Sequence, residues 1–561
     1  MKKNLTFLTS LTLALAAYAY LSRSLNFIQD DAYITYRYVA NYLDGHGLVY
    51  NLGERIEGFT NFGWVVLLAA GETVGLDQMW LSQLVGFLCG AGIIILTLLL
   101  AQQAFEDEFK WFALVPVLLV GANMSLAYWA PAGLETAAFG FLTLLSLWLY
   151  LRRSWLLIFA LTLSVWMRPE GALIAGMLIL TEFLSELTVP KYTLLAAAVA
   201  LVLSLPMVGF KLLYFGSIFP NPFFAKTGFD SVQLSNGLEY TGRFLSHYGF
   251  WGAGLLIPLL LITKLSRQAR AVWLFTVFWF AYVVLIGGDV LKVHRFFVPV
   301  MGLSAVLLVL SLRLLTAWLR PNRRHIVLAV ASMPLLYFTY TLPRDFVLRY
   351  NNEEKGFTYK MSFMANSMKD ADSTNFSVAV ATIGIFGYEL LGHDIIDMVG
   401  LTDSTIARHS EDPIPGMETT WKEQKHNSRY LLERAPDYIL FSTSVKPSAP
   451  AERALLLYPQ FLNSYRTVGW FFKRPGSSSE GVVQAAFKKV REIEGVPRPT
   501  YPVAYVQYYK TGLDNILRVD HARAIQYYDR ALSVSPRPYN PYISVSQGVQ
   551  PHLPEPAPTG Y

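Results

Sequence analysis

The chain has 561 residues, 53% hydrophobic and only 15% charged, with a mean hydropathy of +0.35, which excludes an ordinary soluble protein of this length. Its 46 Lys and Arg against 40 Asp and Glu give a net charge of +6, an excess that fits membrane topology and leaves no patch for nucleic acid. The one cysteine, Cys89, lies in an apolar run, so a disulfide within the chain and a cysteine-based metal centre are both excluded.

Residues up to about 340 are apolar runs with sparse charge, and the remainder has the mixed composition of a water-soluble domain. Met1-Lys2-Lys3 precedes an apolar run over 5–22, near the length that crosses a hydrocarbon core of roughly 30 Å; the alternative is a cleaved signal peptide ending at Ala17-Tyr18-Ala19. Further runs lie near 61–75, 80–101, 111–128, 136–151, 154–186, 192–215, 249–264, 271–287, 296–318 and 325–341. So many in series cannot find partners in water, and they read as spans. Arg152-Arg153, "KLSRQAR" at 264–270 and "RPNRRH" at 320–325 should face the cytoplasm with Lys2 and Lys3. Four polar stretches then fall on the opposite side: 27–62, with the first extracytoplasmic loop at 23–60; "RPEG" at 168–171, if the run 154–186 folds back there; "FGSIFPNPFFAKTG" at 215–228; and "GGDVLKVHRF" at 287–296. Four runs separate the first loop from Arg152 where the topology needs an odd number, so either 61–75 or 111–128 should be re-entrant or interfacial. The expected total is ten to twelve spans. Beyond residue 342, short strands such as those in "FSVAVATIGIFGYELLGHDIIDMVGLTD" and "PDYILFS" alternate with glycine turns and helical pieces such as 418–434. The expected architecture is therefore an α-helical polytopic membrane domain over 1–341, a smaller soluble extracytoplasmic α/β domain over 342–535, and a proline-rich disordered tail over 536–561.

Asp30 and Asp31 stand at the water-facing exit of the first span, where charge is costly and tends to mark function. If a helix follows them, Asp30, Tyr33 and Arg37 share a face, a pocket wall of carboxylate, phenol and guanidinium. The plainer reading is that an aspartate caps the helix while Arg37 snorkels. The same polar side supplies Glu57 and Asn61, Arg168 and Glu170, Lys226 among aromatics, and Asp289, Lys292, His294 and Arg295. Each pair also reads as a local salt bridge or an interfacial lysine, but together they suit an anion attached to lipid. Arg and Lys hold a phosphate leaving group while an aspartate takes the proton of an attacking hydroxyl. That is glycosyl transfer from a lipid phosphate. Tyr33, Tyr36, Trp64 and Trp129 can bracket sugar rings or serve as interfacial belt residues.

"DDAYITYRYVANYLDGHGLVYNLGERIEGFTNFGW", with "PAGLET" (131–136), "RPEG", "PNPFFAKT", "GGD" with "HRFFVP" and "IIDMVGLTD" (395–403), resembles the GT-C superfamily of polytopic glycosyltransferases. More narrowly it is similar to bacterial arabinofuranosyltransferases of the AftB type and their pilin-glycosylating relatives, over residues 1 to about 440. The resemblance implies a bacterial plasma-membrane enzyme with its site on the periplasmic side and a polyprenyl-phosphate sugar donor such as polyprenylphosphoryl arabinofuranose. It implies Asp30 and Asp31 as the catalytic acids and a C-terminal domain that helps hold a glycan or glycoprotein acceptor. Some members of the superfamily bind a divalent cation at their acids and others work without one; with Arg37, Lys226 and Arg295 available for phosphate, no metal is expected to be required. Another polyprenyl-phosphate sugar, such as mannose, stays open as the donor, as does inversion or retention. A lipid-linked-sugar flippase is the alternative of another class, though no inverted halves are visible. A sugar-binding sensor would not need so many spans.

Overall fold

The computed structural model describes residues 2–105, 112–226, 231–417, 424–443, 446–473 and 482–517, with 523, 526, 527 and 530. The tail at 536–561 lies outside the described residues. The chain divides into two compact units: Met1–Ala32, Thr60–Leu213 and Gly228–Lys355 form the first, and Tyr33–Phe59, Tyr214–Thr227 and Gly356–Tyr561 the second.

The first unit is helical, and local signals fix where its helices begin. Asp77 accepts Trp80 N at 2.7 Å and opens Gln78–Ala104, while Ser266 accepts Ala269 N at 3.2 Å and opens Arg267–Leu285. Among the described residues five helices are long and apolar enough to cross a membrane: these two, Lys191–Phe215, the continuous Arg295–Leu315, and one within Pro321–Ala371. The run 154–186 folds back at 168–170, between Leu157–Met167 and Gly171–Glu186. Both runs suspected of not spanning are short. Phe62–Thr73 has 12 residues, about 18 Å of helix, and the other breaks at Asn123 into Leu114–Gly121 and Met124–Trp129. Neither helix alone reaches across a core of roughly 30 Å.

Gln78–Ala104 packs along Thr136–Leu151, and Lys2–Ser24 packs on Leu114–Gly121. The second contact depends on Gly121, where a Cβ would come 2.6 Å from Ala14 O. Small residues let apolar helices approach where no hydrophobic force separates helix from lipid. Gly121→Val should therefore force the two helices apart and destabilise the fold by about 1–3 kcal/mol. A thermal melt in detergent should show a lower midpoint, and an unchanged midpoint would contradict the contact.

The second unit holds a five-stranded mixed sheet of order β2-β1-β3-β5-β4, made of β1 (Ser377–Val380), β2 (Asp394–Asp397), β3 (Tyr438–Leu440), β4 (Tyr465–Phe472) and β5 (Val482–Lys489). β1 pairs parallel with β2 and β3, and β5 antiparallel with β3 and β4. Ala379, Ile396, Ile439, Phe441, Phe461 and Phe487 form its core. Of the helix expected over 418–434, Ser428–Arg434 is helical, and 418–423 lie outside the described residues.

Two boundaries differ from the sequence reading. The division expected at 341/342 falls inside the 51-residue helix Pro321–Ala371, and the units part at Lys355/Gly356 instead. A helix crosses a composition change without a break when its propensity continues, as it does through "RDFVLRYNNEEK". The first loop, assigned to the membrane domain, also divides, since 33–59 belong to the second unit.

Candidate active site

Helix Asp30–Leu43 begins with the twin aspartates in its first turn, where the helix dipole favours negative charge. Asp30 is buried and Asp31 half-buried. Gln29 arranges the entry: its Oε1 accepts Asp31 N at 2.6 Å, and its own N donates to Ala132 O at 3.0 Å. A third carboxyl, which the sequence reading missed, joins them. Glu354, from Pro321–Ala371, interacts electrostatically with both aspartates. It lies past the apolar half of its helix, among Arg349, Glu353 and Lys355.

The loop that holds Gln29 also reaches the arginines. Ala132 receives Gln29 N, and Glu135, three residues on, accepts Arg168 Nη1 at 2.6 Å and Asn61 Nδ2 at 2.9 Å. Three residues of chain span at most about 11 Å, so the two points of this loop that hold Gln29 and Arg168 lie within that distance of each other along the main chain. Arg168 also forks onto Glu170, at 2.7 and 3.3 Å. Arg295 forks onto Asp289, at 2.5 and 3.0 Å. Gly287 and Gly288 precede that aspartate with φ of 78° and 65°, a left-handed turn that glycine alone makes cheaply and that brings the loop back over the Tyr240 ring.

Phe296 lies between the guanidinium groups, 5.5 Å from each. A pocket here is lined by Thr136, Phe139, Arg168, Glu170, Trp279, Tyr282, Arg295, Phe296 and Pro299. It is no bare cationic patch, because Glu135, Glu170 and Asp289 pair both arginines. Donors remain nonetheless. Among the described residues no hydrogen bond uses Arg295 Nη1, and Thr136 Oγ1 is buried without a partner. His294 is fully buried against His247, with Nε2 2.9 Å from His247 Nδ1, and it is absent from the pocket lining. Asn61 acts on the pocket through Glu135.

The other candidates belong to the second unit. Arg37 gives its guanidinium to five acceptors: Tyr50 O, Gly387 O, Leu390 O, His393 O and Asn51 Oδ1. That occupies its fork of donors and makes it a clamp between two chain segments, so a phosphate role does not fit. Asn51 completes the clamp by exchanging two hydrogen bonds with the Ile395 backbone. Tyr33 packs edge-on to Tyr36 and against Tyr388. Glu57 is buried, and its main-chain oxygen accepts Asn221 N at 2.8 Å. Asn221, from "PNPFFAKT", donates Nδ2 to Gly400 O and Asp403 O, which joins two of the sequence landmarks physically. Lys226 ends Asn221–Lys226, and its side chain lies outside the described residues.

A domain of unknown function (DUF8728) matches residues 349–492. Two curated relatives are named terminal beta-(1->2)-arabinofuranosyltransferase. That of Corynebacterium glutamicum is 27% identical over 354 residues, 54% of this chain and 50% of the relative. That of Mycobacterium tuberculosis is 28% identical over 266 residues, 43% of this chain and 41% of the relative. The chain thus spans about half or less of the length of the curated relatives it matches. Among solved structures, the oligosaccharyltransferase AglB of Archaeoglobus fulgidus, in complex with an inhibitory peptide and a dolichol-phosphate, superposes with a TM-score of 0.52 at 12% identity, over 97% of this chain and 86% of that one.

Proposed function

We propose, from its GT-C fold of an apolar helical unit and a mixed α/β unit, that the chain is a membrane glycosyltransferase that moves a sugar, D-arabinofuranose, from a polyprenyl-phosphate donor to a glycan or glycoprotein acceptor on the extracytoplasmic side of a bacterial plasma membrane. The observation that carries this reading is the 131–136 loop, which takes Gln29 at one end and Arg168, through Glu135, at the other. That one short segment bonds both the residue before the carboxylate pair and an arginine of the pocket supports the reading. The names of the two arabinofuranosyltransferase relatives support the choice of sugar. The dolichol-phosphate held by the archaeal neighbour supports the class of donor.

In this reading the donor phosphate binds at the pocket, with Arg295 Nη1 and Thr136 Oγ1 as hydrogen-bond donors and Arg168 as the second positive charge. As the bond from the anomeric carbon to the phosphate oxygen breaks, the electron pair stays on the lipid phosphate, and the guanidinium groups stabilise it. The acceptor hydroxyl oxygen bonds to the anomeric carbon, and its proton passes to Asp30 or Asp31. Trp279, Phe139 and Phe296 offer flat apolar faces to the lipid or the sugar ring. No step calls for a metal.

The test is purified protein incubated with synthetic polyprenyl-phosphate arabinofuranose and, separately, polyprenyl-phosphate mannose, with candidate acceptors. Release of lipid phosphate from the arabinofuranose donor alone is expected. Release from the mannose donor alone would replace the sugar, and release from neither would remove the enzyme reading.

A further inference from the structure

The charges of the arginine pocket do not balance. Arg168 and Arg295 bring two positive charges, and their ion-pair partners Glu135, Glu170 and Asp289 bring three negative ones. These carboxylates are not equivalent. Glu135 and Asp289 keep 4% and 6% side-chain exposure and stand outside the pocket lining, whereas Glu170 keeps 19% and belongs to the wall itself. Its place is rigid. Gly171 N donates to Arg168 O at 2.8 Å, and a Cβ on Gly171 would come 2.2 Å from the Ser164 carbonyl carbon, so the fold-back is pressed on the helix before it. The two oxygens of Glu170 accept Arg168 Nη2 at 2.7 Å and Nε at 3.3 Å, a charge-assisted fork that fixes the carboxylate at the wall.

A fixed surplus charge distinguishes ligands by the charge they carry themselves. A lipid phosphodiester carries one negative charge throughout the neutral range. A lipid monophosphate, whose second pKa is about 6, carries nearly two near pH 8. Repulsion from one carboxylate scales with ligand charge, so it weighs twice as heavily on the monoester. We infer that Glu170 is a specificity-determining residue of the transferase proposed above: its carboxylate admits a singly charged lipid phosphodiester and expels the doubly charged lipid monophosphate that sugar transfer leaves behind. The inference rests on that function and deepens it, from what the pocket holds to how the pocket is cleared. Arg168 and Arg295 supply the attraction common to both ligands, and Glu170 supplies the difference between them.

The experiment measures equilibrium binding of two probes, polyprenyl phosphate and its methyl diester, to the full chain in detergent near pH 8, with no turnover needed. The wild type should hold the diester more tightly. Glu170→Gln should tighten the monoester about tenfold and the diester about threefold, because a tenfold effect on two charges is a threefold effect on one. Equal tightening of both probes, or weakening of both as expected of a prop for Arg168, would overturn the assignment. If the variant does not fold, the wild type decides. Near pH 5 the monoester carries mostly one charge, and its disadvantage against the diester should disappear; a disadvantage as large as near pH 8 would overturn the assignment too. The diester controls for the groups around the pocket, Glu135, Arg168, Glu170, Tyr282, Asp289 and Arg295, since titration among them acts on both probes. If neither probe binds, the proposed function fails at its donor site; if both bind and no discrimination follows Glu170, the role of Glu170 alone fails.

Discussion

Replacing Asp30 and Asp31 together by Asn should lower sugar transfer by about 10²–10⁴-fold while leaving the protein folded, because the amide keeps the shape of the carboxyl but cannot accept the proton of the attacking hydroxyl. Asn is also tolerated at a helix start, so the first turn of Asp30–Leu43 should survive. The loss should fall on kcat, since the donor phosphate is assigned to Arg295, Thr136 and Arg168 rather than to the acids. Single variants identify the base: the aspartate that takes the proton should account for most of the loss, and its neighbour for less. Transfer assays with equal amounts of wild-type and variant protein, and melting curves to confirm the fold, decide this. Full activity in the double variant would remove the acids from the chemistry.

Arg37→Ala should be the most destabilising single change in the second unit, by about 4 kcal/mol, because it leaves three buried carbonyls, those of Tyr50, Gly387 and Leu390, and the half-buried one of His393 without the donor that joins them. Arg37→Lys should rescue little, since a single ammonium cannot reproduce a planar fork that reaches acceptors on both sides. Limited proteolysis of the region after Gly356, together with thermal melts, reads the effect. A stable Arg37→Ala protein with only a raised donor KM would return Arg37 to the phosphate and contradict its role as a clamp.

These two sites show what a sequence pattern carries and what it does not. Apolar runs bounded by charge are local signals, so the helices near 80–101, 192–215 and 271–287 and the fold-back at Arg168-Pro169-Glu170 were legible. Short apolar pieces between glycine turns likewise announced strands β1, β2 and β3. Partners across hundreds of residues leave no such mark. Arg37 looked like one wall of a pocket because its helical spacing is local, whereas the carbonyls that hold it lie about 350 residues away. Glu135 stood within a quoted motif, but only the fold shows it receiving both Asn61 and Arg168. Glu354 was hidden in "NNEEKG", which reads as a solvated helix face. His294 was grouped with Arg295 by adjacency, and the left-handed backbone at His294, φ 55°, turns the chain between them.

The central claim is that one lipid phosphate bridges the arginine pocket while its sugar faces the aspartates. A structure of the full chain with bound polyprenyl phosphate tests it most directly. The phosphate should lie about 3 Å from Arg295 or Arg168 nitrogens, with Asp30 and Asp31 on the side where the sugar would extend. A phosphate seated away from both arginines, or aspartates closed off from it by packed apolar side chains, would contradict the account.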